Sequence, residues 1–242
     1  YAEFAGQYTD LDLLINDHDR PDGVDRAMRR VASLGTSTRV IPGVEENTRQ
    51  NGHDVHLLII GLNNHRGIGG SPEEATRFYK NDGAYVAIGH PNFATYSMMI
   101  PDIRASYGKE VDPETTPHGL EIFNASSYIA HQYYLAHAAR RLSRWFMHHF
   151  PELSQVDTNR EAQEFFYEEG VNEVFSAVVG NDDHDGKPLR TLIAYPEEQD
   201  PVVAMKQGNV DLYVSNAIPK VREIWYVEKK VRDAVKKVTK RD

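Results

Sequence analysis

The 242-residue sequence predicts an α/β fold on a mostly parallel sheet, open or closed, and three observations carry that prediction. Short apolar runs alternate along the chain with stretches of helical periodicity. The connections between them are short and rich in Gly, Pro, Asn and Asp, as in βα units. Several of the runs empty directly into His, Asp or Glu, the residue types that gather at the carboxyl ends of strands in such folds.

Length and composition set the outer bounds. The chain fits one large domain, residues 1–242, since α/β barrels of this size are undivided. It is 40% hydrophobic and 26% charged, and has no apolar run long enough to span a bilayer. The formal net charge of −9 argues against nucleic-acid binding through bulk charge, though not against a local basic pocket. With no cysteine, disulfides and thiolate zinc sites are excluded, so any metal must be held by His, Asp and Glu. No signal peptide is visible, which leads to the expectation of a cytoplasmic protein.

Taken in order, residues 1–7 read as a helix tail ending at Gly6. The run 11–15 is a buried strand that terminates in Asn16-Asp17-His18-Asp19. Asp22 caps a helix with apolar positions Val24, Ala27, Met28, Val31 and Leu34, stopped by Gly35. A second strand covers 39–41 and ends at Pro42-Gly43-Val44-Glu45. Residues 44–62 form a hairpin around Asn51-Gly52, a strong type I′ turn signal. A two-residue turn sets Gln50 opposite His53 and Glu45 opposite Leu58, so that Glu45, His56 and Leu58 share one face.

Ser71-Pro72-Glu73-Glu74 is a capping box opening a helix to about Lys80. The strand 85–88 ends in Gly89-His90-Pro91, residues 92–117 read as a long irregular loop, and 119–124 is the next strand. A helical insertion spans about 126–169, as a long helix to Phe150 and a shorter one from Asn159. Then come strands at 174–179, 190–195 and 211–215, with a short helix near 200–207. The segment from Lys220 onward, a helix at about 220–240, is amphipathic and carries nine Lys/Arg against four Asp/Glu.

The strand ends form a constellation. His18, Glu45, His90 and the pair Asp182 and His184 each follow an apolar run, and His56 joins them through the hairpin. Imidazole and carboxylate together suit Zn, Mn or Fe, and a shared carboxylate can bridge two ions. His53, His65, His118, His131, His137, His148 and His149 read as surface or packing residues, and Asp17 and Asp19 as caps of the following turn. Arg20 and Lys187 lie just past ligand motifs, either as contacts to phosphate oxygens or as solvated loop charges.

Six short motifs occur in this order: Asn16-Asp17-His18-Asp19, Pro42-Gly43-Val44-Glu45, Val55-His56-Leu57-Leu58, Gly89-His90-Pro91, Gly119 to Asn124, and Asn181-Asp182-Asp183-His184. Over nearly the whole chain this resembles the PHP (polymerase and histidinol phosphatase) family. The resemblance implies a distorted (β/α)7 TIM-like barrel with up to three metal ions (Zn, Mn or Fe) at its C-terminal mouth. It implies hydrolysis of a small phosphomonoester or nucleotide by a metal-activated water, with no residue identified as general acid. Carried over, Glu45 is the bridging carboxylate, His56 and His90 complete one metal site, His18 and His184 serve another, and Asp182 with Glu45 serves the third. The family's opening strand carries His-x-His, which occurs nowhere in this chain, and this leads to the expectation of a barrel lacking its first strand. Only the Glu45, His56 and His90 site keeps a full set of protein ligands. The helix-tail reading of residues 1–7 leads to the expectation of roughly 25–35 further residues before Tyr1, one βα unit.

Two other functions fit the sequence less directly. One is a metal-poor binding or accessory module of the same family. The other is a nuclease, with the basic C-terminal helix contacting oligonucleotides.

Overall fold

The computed structural model describes residues 12–18, 22–62, 67–92, 98, 100–107, 111–125, 127–128, 157–168, 170–180 and 191–214. Expectations for residues 1–7, the helix to Phe150 and the amphipathic C-terminal segment lie outside these residues, as do those for Asp19, His65, His131, His137, His148 and His149.

The strands are β1 (Leu13–His18), β2 (Val40–Gln50), β3 (His53–Ile60), β4 (Tyr85–Ile88), β5 (Gly119–Asn124), β6 (Ser176–Gly180), β7 (Thr191–Ala194) and β8 (Asp211–Val214). The first six form one curled sheet in the order β1-β2-β3-β4-β5-β6. Strands β7 and β8 pair only with each other among the described residues, as a separate antiparallel sheet. The helices are α1 (Asp22–Leu34), α2 (Pro72–Asn81), α3 (Ile100–Tyr107), α4 (Thr158–Phe166), α5 (Val171–Val174) and α6 (Pro201–Lys206).

The main sheet is mixed rather than mostly parallel. Strands β1–β2, β4–β5 and β5–β6 pair parallel, while β3 runs antiparallel to both neighbours. The cause is the hairpin: β3 returns along β2, so the chain leaves it at the opposite edge and β4 restores the original direction. Asn51 (φ 52°) and Gly52 (φ 83°) supply the two left-handed residues of the turn, and the register is the expected one, with Gln50 opposite His53 and Glu45 opposite Leu58.

Several boundaries also differ from expectation. β2 is one continuous strand from Val40 to Gln50, because Gly43 and Val44 stay in register with Ile60 and Ile59. β1 reaches His18 rather than stopping at Ile15, since Asn16, Asp17 and His18 pair with Gly43, Val44 and Glu45. Within the supposed irregular stretch lies α3, whose Ile100, Ile103 and Tyr107 are buried against the sheet's outer cluster. Val174 belongs to the short α5, which opens at the left-handed Gly170, and β6 begins only at Ser176. In α1 the buried positions are Val24 and Val31, whereas Met28 and Leu34 are exposed. The capping box of α2 forms as read, with the Ser71 hydroxyl accepting from Glu74 N–H and the Glu74 carboxylate accepting from Ser71 N–H.

Alternation along the strands separates two apolar layers. The outer one holds Val44, Leu57, Ile59, Val86, Ile88 and Leu120 with residues of α2, α3 and α4. The inner one holds Ile41, Leu58, Ile60, Tyr85, Ala87 and Val178 with Met205 of α6, and floors the concave side. At the edge of this floor His118 stacks on Tyr85 with ring centroids 5.4 Å apart, and its Nδ1 accepts Val86 N–H at 3.1 Å. Burial, reinforced by the positive charges of Lys80 and Lys206, pushes the His118 pKa down to about 4.

That shift sets a pH dependence. Between about pH 4 and 6.5 the unfolded chain binds the extra proton and the folded one does not, so the contribution is present above 6.5 and lost as pH falls toward 4. With solvent screening at this partly exposed ring, about 1–2 kcal/mol of stability disappears. Urea unfolding at pH 7.5 and 4.5 should show a smaller loss in His118→Asn, whose amide oxygen can accept the same N–H. An equal loss in both proteins would refute the attribution.

Candidate metal centre

The concave face carries its polar residues above the apolar floor. His18, the last residue of β1, stands directly opposite Glu45 in the parallel ladder. His56 lies on β3 one diagonal step from Glu45 and projects to the same face. It reaches the site from inside an antiparallel strand, not from a strand end. His90 follows β4, and the backbone there is tied across to β3 by Gly89 N–H donating to His56 O at 2.9 Å.

Glu45 is the centre of this group. Its Oε2 is 3.4 Å from His18 Nε2, while its Oε1 contacts His56 Nδ1 and lies 3.6 Å from His90 Nε2. His90 Nε2 is itself 2.9 Å from His56 Nδ1. The rings stand edge-on to one another, with centroids 5.0 Å apart for His18 and His56 and 4.9 Å for His56 and His90. Side-chain exposure falls from 37% at His18 to 8% at Glu45, 7% at His56 and 6% at His90, so the cluster opens to solvent at the His18 end.

The residues present fit a cation. His18, Glu45 and His56 each offer a ligand atom, and these atoms lie within 4.8 Å of one another, so this group could hold a metal ion. Ions bound by imidazole and carboxylate at about 2.0–2.2 Å keep neighbouring ligand atoms about 3.3 Å apart at the tetrahedral angle. The spacings of 2.9 and 3.6 Å at His90 Nε2 bracket that value. A buried carboxylate among imidazoles is costly unless its charge is matched, and a divalent ion matches it.

Of the residues singled out from sequence, the structure thus brings together His18, Glu45, His56 and His90. Asp182, His184, Arg20 and Lys187 lie outside the described residues. Sequence reasoning assigned no role to Glu121, which turns toward the same site. Its Oε2 accepts His90 N–H at 2.6 Å. The available signal was a lone carboxylate inside the apolar run of β5.

No protein-family model matches the chain, and no curated protein matches it in sequence. No helix among the described residues is long and apolar enough to cross a membrane.

Proposed function

We propose that this protein is a metal-dependent phosphoesterase acting on a small phosphomonoester or nucleotide, built on a PHP-like barrel. The observation that carries the reading is the Glu45 carboxylate, which divides its two oxygens between His18 on one side and His56 with His90 on the other. That is the arrangement expected of a carboxylate shared by two cation positions. Zn, Mn and Fe are the ions this nitrogen and oxygen donor set suits.

When bound, such ions lower the pKa of water toward neutrality and neutralise charge developing on a phosphoryl group. The chain's own residues do the rest. Glu45, His56 and His90, nearly enclosed, would hold the inner ion. His18, more exposed, marks the side from which a charged substrate reaches the cluster. The apolar floor of Leu58, Ile60 and Tyr85 closes the opposite side to water.

Protein purified without chelator should contain Zn, Mn or Fe by elemental analysis. It should release inorganic phosphate from p-nitrophenyl phosphate or nucleoside monophosphates. Chelation should abolish the release, and added Mn or Zn should restore it. A metal content near zero, with no Mn- or Zn-stimulated release, sinks the proposal.

A further inference from the structure

Among the described residues, Glu121 is the most enclosed carboxylate beside the cluster, with 2% of its side chain exposed. Its Oε2 accepts His90 N–H at 2.6 Å and lies 3.4 Å from His90 Nδ1. Asn124 Nδ2 stands 3.4 and 3.5 Å from its two oxygens. Across the sheet, Gly180 leaves the space that Oε1 fills, and a Cβ at that position would overlap the oxygen. His90 has φ +27°, a region that residues with a Cβ seldom adopt and that costs of order 1 kcal/mol or more. A charge-assisted bond to its own N–H is a direct way to hold it there.

The two nitrogens of the His90 ring therefore face different partners. Nε2 faces Glu45 and His56, and Nδ1 faces Glu121. An imidazole ligates through an unprotonated nitrogen, and a hydrogen bond from its other nitrogen fixes which one that is.

We propose that Glu121 is the positioning residue for His90: it accepts Nδ1–H and the backbone N–H, and so presents the Nε2 lone pair to a cation shared with Glu45 and His56. Gly180 belongs to the same device, because only a residue without Cβ lets the carboxylate lie flat against β6. This role rests on the metal reading above, yet the orientation of the ring exists in the metal-free protein and can be tested there.

The test compares wild type with Glu121→Ala, Glu121→Gln and Gly180→Ala. In metal-free, ¹⁵N-histidine-labelled protein, two-bond ¹H–¹⁵N spectra report the tautomer of each ring, with His90 assigned from His90→Gln. Wild type should show His90 protonated on Nδ1, and Glu121→Ala should lose that preference. Zn²⁺ affinity, measured by chelator competition, should fall about 10–100-fold in Glu121→Ala and Gly180→Ala. It should recover in part in Glu121→Gln, whose amide oxygen can still accept Nδ1–H. Should Glu121→Ala fail to fold, Gly180→Ala, which keeps the carboxylate but displaces it, carries the comparison. An unchanged His90 tautomer in the folded variants overturns the proposal, as does unchanged Zn²⁺ affinity where wild type binds Zn²⁺. Failure of wild type to bind Zn²⁺ or Mn²⁺ instead removes the metal reading, and the tautomer spectra still decide the role of Glu121.

Discussion

Glu45→Gln is expected to lose metal and activity while keeping its fold. Glutamine has the shape of glutamate, but it carries no charge and replaces one acceptor oxygen with an NH₂ donor. Whichever way the amide turns, a donor now faces either His18 Nε2 or the pair His56 Nδ1 and His90 Nε2, where a cation position is proposed. Metal content should drop to background. Hydrolysis should fall by at least about 10³-fold, the upper end of what one electrostatic group supplies to a transition state. Stability of the metal-free protein should hold or rise, because an enclosed charge has been removed. Elemental analysis, phosphate release and a thermal melt together check this. Full metal stoichiometry in Glu45→Gln would show that Glu45 is not the shared ligand.

The next residue should behave in the opposite way. Glu46 points to the outer face, where it is 1% exposed. Its Oε1 accepts Ile68 N–H at 2.5 Å and Gly69 N–H at 3.1 Å, and its Oε2 accepts the Tyr79 hydroxyl at 3.1 Å. Glu46→Ala would strip three donors of this acceptor, the buried Tyr79 hydroxyl among them, and leave a cavity under the segment that leads into α2. A stranded buried donor costs about 1–3 kcal/mol, and with the lost contacts of the two N–H groups a total of about 2–4 kcal/mol is expected, a large part of the stability of an ordinary domain. The residues proposed to hold metal are untouched, so the folded fraction of Glu46→Ala should still take up metal. Urea unfolding decides it: a loss under 1 kcal/mol would mean that water replaces the carboxylate and that the anchor is dispensable.

These neighbouring glutamates show how far the sequence could be read. The Asn51-Gly52 turn fixed parity, and parity alone put Glu45 and His56 on one face, as observed. Local signals of the same kind set the limits of β4 and β5 and the start of α2, since each depends on residues within a turn of one another. Glu46 was opaque because its partners arrive from 22 and 33 positions away, and nothing in Glu45-Glu46-Asn47 separates an anchor from a candidate ligand. Glu121 was opaque for the same reason, as His90, whose N–H it accepts, lies 31 positions away. The direction of β4 was hidden as well, because it follows from where the hairpin deposits the chain rather than from any residue in β4. Helix α3 was missed because Pro101 and the prolines around it read as breakers, although Pro101 is tolerated in the first helical turn.

The β2–β3 hairpin also bears on the order in which the cluster can assemble. Glu45 and His56 are joined by a short loop with a strongly preferred turn, and hairpins of this kind close in about 1–10 μs. His90 must wait for β4, and His18 for the pairing of β1 with β2, in which Leu13 meets Val40, 27 positions further along the chain. Closing longer loops costs more chain entropy and comes later. The Glu45 and His56 pair is thus a local structure with early contacts, and His90 on the enclosed side and His18 on the open side both join it by long-range closure.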